Sequence, residues 1–221
     1  MIVNYNEIGI EAFQNKQYEE AAQAFNDAIE ANPEEAVGYI NFGNLLAVLN
    51  DTERAERFFQ KAITLDDQAA TAYYGLANLY YNNERYSEAA TLYQKAIEYQ
   101  LEGADAFYML AKCLEHQENY KFALPYMQRA AELAPHDSQI RLSYGILLCT
   151  LEMFEQAEPE LLAVTAMDKE NADAHYNLGV LYAVSTQNTE AALHHLQCAL
   201  DIAPAFEQAQ FIYDLVQQRI Q

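Results

Sequence analysis

The sequence predicts an all-α fold, an α-solenoid of six helix–turn–helix units closed by a C-terminal helix. Three observations carry this reading. The chain resembles itself every 34 residues, a period at which one supersecondary unit stacks on the next. Within each unit, apolar and small residues recur three or four apart in two separate stretches, the spacing of a single helix face. Proline then follows the second stretch, at Pro33, Pro135 and Pro204, where a helix cannot continue.

The first unit carries Gly9, Ala21, Ala28 and Pro33, and the second Gly43, Ala55, Ala62 and Asp67. The third has Ala77, Ala89, Ala96 and Leu101, the fourth Ala111, Ala123, Ala130 and Pro135, and the fifth Gly145, Ala157, Val164 and Lys169. Gly179, Ala192, Ala199 and Pro204 complete the series once one residue is inserted in Ser185-Thr186-Gln187-Asn188-Thr189. The units are residues 2–35, 36–69, 70–103, 104–137, 138–171 and 172–206. In the second, the first helix buries Tyr39, Phe42, Gly43 and Leu46, and the second helix faces it with Ala55, Phe59 and Ala62. Small residues let the two axes approach while aromatics fill the space beside them. One helix pair cannot bury its apolar face by itself, so neighbouring units must stack.

Two details depart from regularity. Pro125 and Pro159 fall at position 22 of units four and five, inside the second helices. Each removes a backbone donor, and two readings stand: a tolerated first-turn proline, or a local change of curvature. Residues 207–221 place Phe211, Ile212, Leu215, Val216 and Ile220 at helical spacing, as a capping helix over the last unit requires. Unit one has no such cap, so Val3 and Ile10 lie on a face with no unit before it. No linker or low-complexity stretch interrupts the array, which reads as one domain.

These residues make the chain resemble the tetratricopeptide-repeat (TPR) family, whose unit is a 34-residue helix–turn–helix. The resemblance covers residues 2–206 and includes the family's aromatic at position 4: Tyr5, Tyr39, Tyr73 and Phe107. It includes the aromatic at position 17 as well: Tyr18, Tyr86, Tyr120 and Phe154. Arg141 and His175 replace the former in units five and six, and Thr52 replaces the latter in unit two. Those departures bear on local packing and leave the fold intact. The resemblance implies a right-handed superhelix. At full length it is to stand-alone, repeat-only cytoplasmic proteins of Gram-positive bacteria that carry no catalytic domain.

Composition narrows the function classes. Twelve Lys and Arg stand against 33 Asp and Glu, for a net charge of −21. Phosphate backbones and anionic membranes are bound by clustered Lys and Arg, so neither nucleic acid nor a membrane surface is expected as the main partner. Cys113, Cys149 and Cys198 are widely spaced and make no disulfide framework. The acidic N-terminal residues do not resemble a signal peptide, and no apolar run approaches the roughly 20 residues of a membrane span. A protein of a reducing, cytoplasmic compartment is expected.

Chemistry is sparse. The sequence contains no glycine-rich phosphate loop and no GxSxG, HExxH or CxxC motif. Cys113 with His116 and His194 with Cys198 are each only two potential ligands on one helix, fewer than a zinc site needs. Neither an enzyme nor a metal or other cofactor is expected.

What remains is a surface. Positions 2, 5, 9 and 12 of the first helix form a second stripe beside the buried one. The resemblance implies that this stripe, with position 6, lines a concave groove for peptide partners. Position 5 reads Asn6, Ile40, Tyr74, Tyr108, Leu142, Tyr176; position 6 reads Glu7, Asn41, Gly75, Met109, Ser143, Asn177; position 9 reads Ile10, Asn44, Asn78, Lys112, Ile146, Val180. Glu7 and Lys112 are the charged members, so the groove is formally neutral in an acidic protein. Asn6, Asn41, Asn44, Asn78 and Asn177 would offer paired donors and acceptors to an extended backbone. Tyr74, Tyr81, Tyr108 and Tyr176 would add flat apolar area at low entropy cost.

Lys112 stands between Asp105 and Glu115, which suits a local ion pair rather than a carboxylate clamp. The expected function is therefore a non-catalytic scaffold or adaptor that holds a neutral or basic protein segment. In this reading Tyr108→Ala or Asn78→Ala weakens partner binding with little change in melting temperature. The alternative is a homo-oligomer that self-assembles through Ile2, Val3 and Ile10 of the uncapped first unit.

Overall fold

A computed structural model describes residues 3–186 and 188–219. Ile2 and Ile220, which figure in the expectations above, lie outside the described residues. Every regular element among the described residues is helical. The pairs are α1 (Tyr5–Gln14) with α2 (Tyr18–Ala31), α3 (Ala36–Val48) with α4 (Thr52–Leu65), and α5 (Ala70–Asn82) with α6 (Tyr86–Glu98). They continue with α7 (Asp105–His116), α8 (Tyr120–Leu133), α9 (Ser138–Thr150), α10 (Phe154–Met167), α11 (Ala172–Leu181) and α12 (Thr189–Ile202), and end with α13 (Glu207–Gln218). The chain gathers into two compact units, Met1–Glu118 and Asn119–Gln221.

The turn inside each of the first five repeats is built the same way. Lys16, Asn50, Glu84, Glu118 and Glu152 all adopt positive φ near 60°, one repeat apart. In the first of these turns Lys16 N–H donates to Phe13 O at 3.0 Å and Gln17 N–H to Ala12 O at 2.9 Å. That pair of bonds closes a helix C-terminus and usually employs glycine, because a Cβ is strained at positive φ. Here non-glycine residues accept the strain in each of the first five repeats.

The extra residue of repeat six is absorbed within the helix. A π-helical turn, Tyr182–Thr186, continues α11, and one inserted residue is what such a turn accommodates. The second helix of repeat six accordingly begins at Thr189, one residue later than the 34-residue step from Phe154 predicts.

One position-4 departure keeps the tyrosine's role. Tyr39 and Tyr73 donate their hydroxyls to the carbonyls of Pro33 and Asp67, each at 3.1 Å and six residues back. Arg141 Nε donates to the Pro135 carbonyl at 2.7 Å, again six residues back, while its Nη1 reaches Glu160 at 2.5 Å. In these three repeats a polar tip satisfies the preceding turn.

The prolines do not break their helices. Pro125 and Pro159 lie within α8 and α10, which run on to Leu133 and Met167. In the first turn of each, one carbonyl accepts twice, from the N–H groups three and four residues on: Asn119 O from Phe122 and Ala123, and Met153 O from Gln156 and Ala157.

The cores follow the small-residue pattern. In the N-terminal unit Phe25, Phe59 and Tyr93, all at position 24, are almost completely buried. Phe59 fills a slot between two glycines: a Cβ would fall 2.9 Å from its ring at Gly43 and 2.4 Å at Gly75. In the C-terminal unit Leu161 and Leu196 occupy the same position against Gly145 and Gly179. The closing helix α13 docks through Ala209 and Val216 onto Leu196, Ala199 and Leu200.

Candidate functional site

In the N-terminal unit the first helices of neighbouring repeats touch, α1 with α3 and α3 with α5, so their position-5 and position-6 residues share a face. Asn41 Nδ2 donates to Asn6 Oδ1 at 3.0 Å, which joins two of the predicted amides into a ladder across α1 and α3. Asn44 is exposed one turn further along α3, and its Oδ1 lies 3.2 Å from where a Cβ at Gly75 would stand. The absent side chain at Gly75 thus makes room both for Phe59 below and for Asn44 beside it.

Asn78 is engaged from within. Its Oδ1 accepts from the Tyr93 hydroxyl at 2.6 Å. Tyr93 is fully buried, so Asn78 supplies the partner that this phenol needs away from water. Burial also pushes the Tyr93 phenol far above its ordinary pKa. The expectation that Asn78→Ala spares stability is therefore corrected, because that substitution orphans a buried hydroxyl.

The tyrosines are half-buried, with edges available. Tyr74 meets Tyr93 edge-on at 5.7 Å between ring centroids, and Tyr108 is half-buried on α7. Tyr81 hydroxyl lies 3.2 Å from His116 Nε2, and His116 stacks on Tyr86 at 4.0 Å with the rings 2° from parallel. Lys112 Nζ pairs with Glu115, as its spacing predicts. The cation of this face is thus neutralised locally.

In the C-terminal unit Tyr176 packs against Phe206 at 4.9 Å. Asn177 Nδ2 donates to the Asp173 carbonyl of its own helix at 2.8 Å. Ile40, Leu142 and Ser143, which the period places on the stripe, turn into the cores instead.

Neither imagined metal pair gains further ligands. Cys113 is buried and its thiol is pushed up to about 12 by desolvation, while His116 is held by two tyrosines. Cys198 Sγ and His194 Nε2 stand 3.9 Å apart. Among the described residues no three or more His, Cys, Asp or Glu gather as a cation site.

Two arrangements escape the sequence reading. His175 Nδ1 lies 3.0 Å from His195 Nδ1, and Tyr182 lies near-parallel to His195 at 5.6 Å. Burial holds both histidines below their ordinary pKa, His195 down to about 4. The second is a staple between repeats: Tyr80 donates to Glu56 and Tyr182 to Glu158, both at 2.7 Å and 24 residues apart. The signal was present as tyrosine at position 11 wherever the preceding repeat has glutamate at position 21.

A family model for the tetratricopeptide repeat matches residues 6–73, 74–138 and 145–205. The chain belongs to the tetratricopeptide-repeat family. It is similar to the TPR repeat-containing protein YrrB of Bacillus subtilis strain 168, with 55% identity over 40 residues. That stretch spans 18% of this chain and 19% of YrrB. The structural likeness is longer. The crystal structure of YrrB, described as a TPR protein with an unusual peptide-binding site, superposes with a TM-score of 0.82 and 46% identity. It covers 86% of this chain and 98% of that one. PilF of Pseudomonas aeruginosa superposes with a TM-score of 0.79 over 97% of this chain and 96% of its own, at 18% identity, which is a likeness of fold. No helix among the described residues is long and apolar enough to cross a membrane.

Proposed function

We propose that this TPR protein is a non-catalytic interaction scaffold, and that the first-helix face of its N-terminal unit holds an extended, neutral or basic segment of another protein. The observation that carries the reading is the amide ladder Asn6–Asn41, continued by exposed Asn44. Amides present a donor and an acceptor at once, which suits a peptide backbone of any sequence. Tyr74 and Tyr108 flank that ladder with aromatic area that loses little entropy when covered. In this reading the protein works in the cytoplasm, and the binding face draws on Asn6, Asn41, Asn44, Tyr74, Tyr81, Tyr108 and Lys112 of the N-terminal unit, while Tyr176 and Asn177 stand on a first-helix face of the C-terminal unit. Asn78 contributes from behind by holding Tyr93, against whose ring Tyr74 packs edge-on.

The test is affinity capture from the source lysate, with the wild type beside an Asn44→Ala/Tyr108→Ala variant and captured proteins identified by mass spectrometry. A protein retained by the wild type and lost by the variant supports the reading. Equal capture by both sinks it, provided the melting temperatures agree.

A second reading, self-association through repeat one, is favoured by Val3, Ile8 and Ile10, which are 53%, 48% and 40% exposed. A monomeric mass by light scattering at high protein concentration would remove it.

A further inference from the structure

The closing helix α13 keeps the register of the first helix of a repeat. Counting from Glu207 as position 1, Ala209 takes position 3 and Val216 position 10, and both are buried. The equivalent residues of α11, Ala174 and Leu181, are buried in the same way. On the face where the other repeats pack their own second helix, α13 is polar: Asp214 stands at position 8, where the other repeats have Gly or Ala, and Gln217 at position 11. A cap requires that outer face to be polar and nothing more.

The apolar exposure of α13 lies elsewhere. Phe211 at position 5 and Leu215 at position 9 are 64% and 38% exposed. These are the positions at which the N-terminal unit carries Asn6, Asn44 and Asn78. In the C-terminal unit position 9 instead reads Ile146, Val180 and Leu215 on α9, α11 and α13. Between α11 and α13 a cavity of about 300 Å3 is lined by Tyr176, Glu207, Gln208, Phe211 and Ile212. Glu207 is its charged wall, and Asp173 stands at position 2 of α11, exposed.

We infer that this cavity is the docking site for one large apolar side chain of a partner segment, flanked there by Lys or Arg. The inference rests on the reading of the first-helix face as a segment-binding surface and names the partner's chemistry at its C-terminal part. An exposed phenylalanine serves neither the α13 docking contacts nor the cap, and it borders a hollow of side-chain size. Glu207 favours a cation beside the anchor, whereas a carboxylate there meets a like charge. Where the N-terminal unit presents amides to a backbone, this unit presents apolar surface to a side chain.

The full-length protein would be titrated by 1H–15N NMR with three nine-residue peptides in a Gly/Ser frame, centred on Lys-Phe-Lys, Lys-Ser-Lys or Glu-Phe-Glu. Expected is binding of the Lys-Phe-Lys peptide about tenfold more tightly than either other, the scale of burying one apolar side chain. Amide shifts should centre on residues 207–215. Phe211→Ala should reduce the Lys-Phe-Lys peptide to the level of its serine counterpart, whereas Asn44→Ala should leave it unchanged. Equal affinity for the Phe and Ser peptides, an unchanged affinity in Phe211→Ala, or no shifts in α13 would overturn the inference. Shifts there that follow protein concentration instead would make a second copy the occupant and overturn it too. If lysate capture is indifferent to Asn44 and Tyr108 while Phe211 still governs peptide binding, the N-terminal reading fails and this one stands.

Discussion

Asn78 and Asn44 occupy the same position of consecutive repeats yet differ in what they touch, and stability should separate them. Asn78→Ala leaves the buried Tyr93 hydroxyl without its acceptor, which costs about 1–3 kcal/mol. Asn44→Ala, on an exposed side chain, should fall within roughly 0.5 kcal/mol. Urea denaturation of both variants checks the contrast. Adding Tyr93→Phe to Asn78→Ala should recover most of the loss, since no hydroxyl is then stranded. The histidine pair makes a second prediction. His195 faces His175 across the helix pair, His194 beside it on α12, and the Tyr182 ring. Its folded-state pKa of about 4 lies below the ordinary value of about 6.5. Between those values the unfolded chain binds protons that the folded chain refuses, so stability falls as pH falls through this window. Melting temperatures at pH 7, 6 and 5 should decline in the wild type and decline less in His195→Gln. Parallel declines would show that the contact does not govern the pH response.

At the scale of elements, the π turn is the feature with the sharpest consequence. Because Tyr182–Thr186 holds one residue beyond the 34-residue period, deleting Ser185 should restore an ordinary α turn. The variant should fold with circular dichroism like the parent and a melting temperature within a few degrees of it. A loss of cooperative unfolding would mean that the turn is required and not merely tolerated. The positive-φ turns give a milder prediction. Glu84→Gly relieves a Cβ strain of about 1–2 kcal/mol, partly offset by the greater freedom of glycine in the unfolded chain. A net gain of about 0.5–1 kcal/mol in denaturant unfolding is expected. The helices themselves were legible because small residues at fixed intervals leave room for a neighbouring helix wherever they occur. The position-4 departure at Arg141 was not, since Tyr and Arg look unrelated until both are seen bonded to the carbonyl six residues back. The insertion showed only as a slipped register, which cannot distinguish a longer loop from a π turn. Nor could spacing reveal that Asn78 serves Tyr93, a partner on another helix whose hydroxyl direction depends on packing. The face that sequence singled out is present in the N-terminal unit as a row of amides and tyrosines. Its apolar counterpart on α13 was hidden by reading that helix only as a cap.

Over the whole molecule charge sets the balance. The net charge is −21, yet the ion pairs among the described residues are mostly between neighbours on one helix, such as Arg54 with Asp51 and Arg129 with Glu132. Such exposed pairs contribute about 0–1 kcal/mol each and lose part of that when salt is added. Repulsion among unpaired carboxylates acts over longer distances and opposes the compact state. Screening reaches from about 30 Å at 0.01 M salt to about 8 Å at 0.15 M, so added salt weakens the long-range repulsion more than the close pairs. The melting temperature should therefore rise with sodium chloride across this range. Calorimetry in chloride and in the more weakly excluded perchlorate would separate screening from changes in apolar hydration. A flat or falling melting temperature in both salts would mean that the local pairs outweigh the field of the remaining acids. The same field should quicken association with a lysine-bearing segment at low salt, a dependence that the anchor at Phe211 would not itself produce.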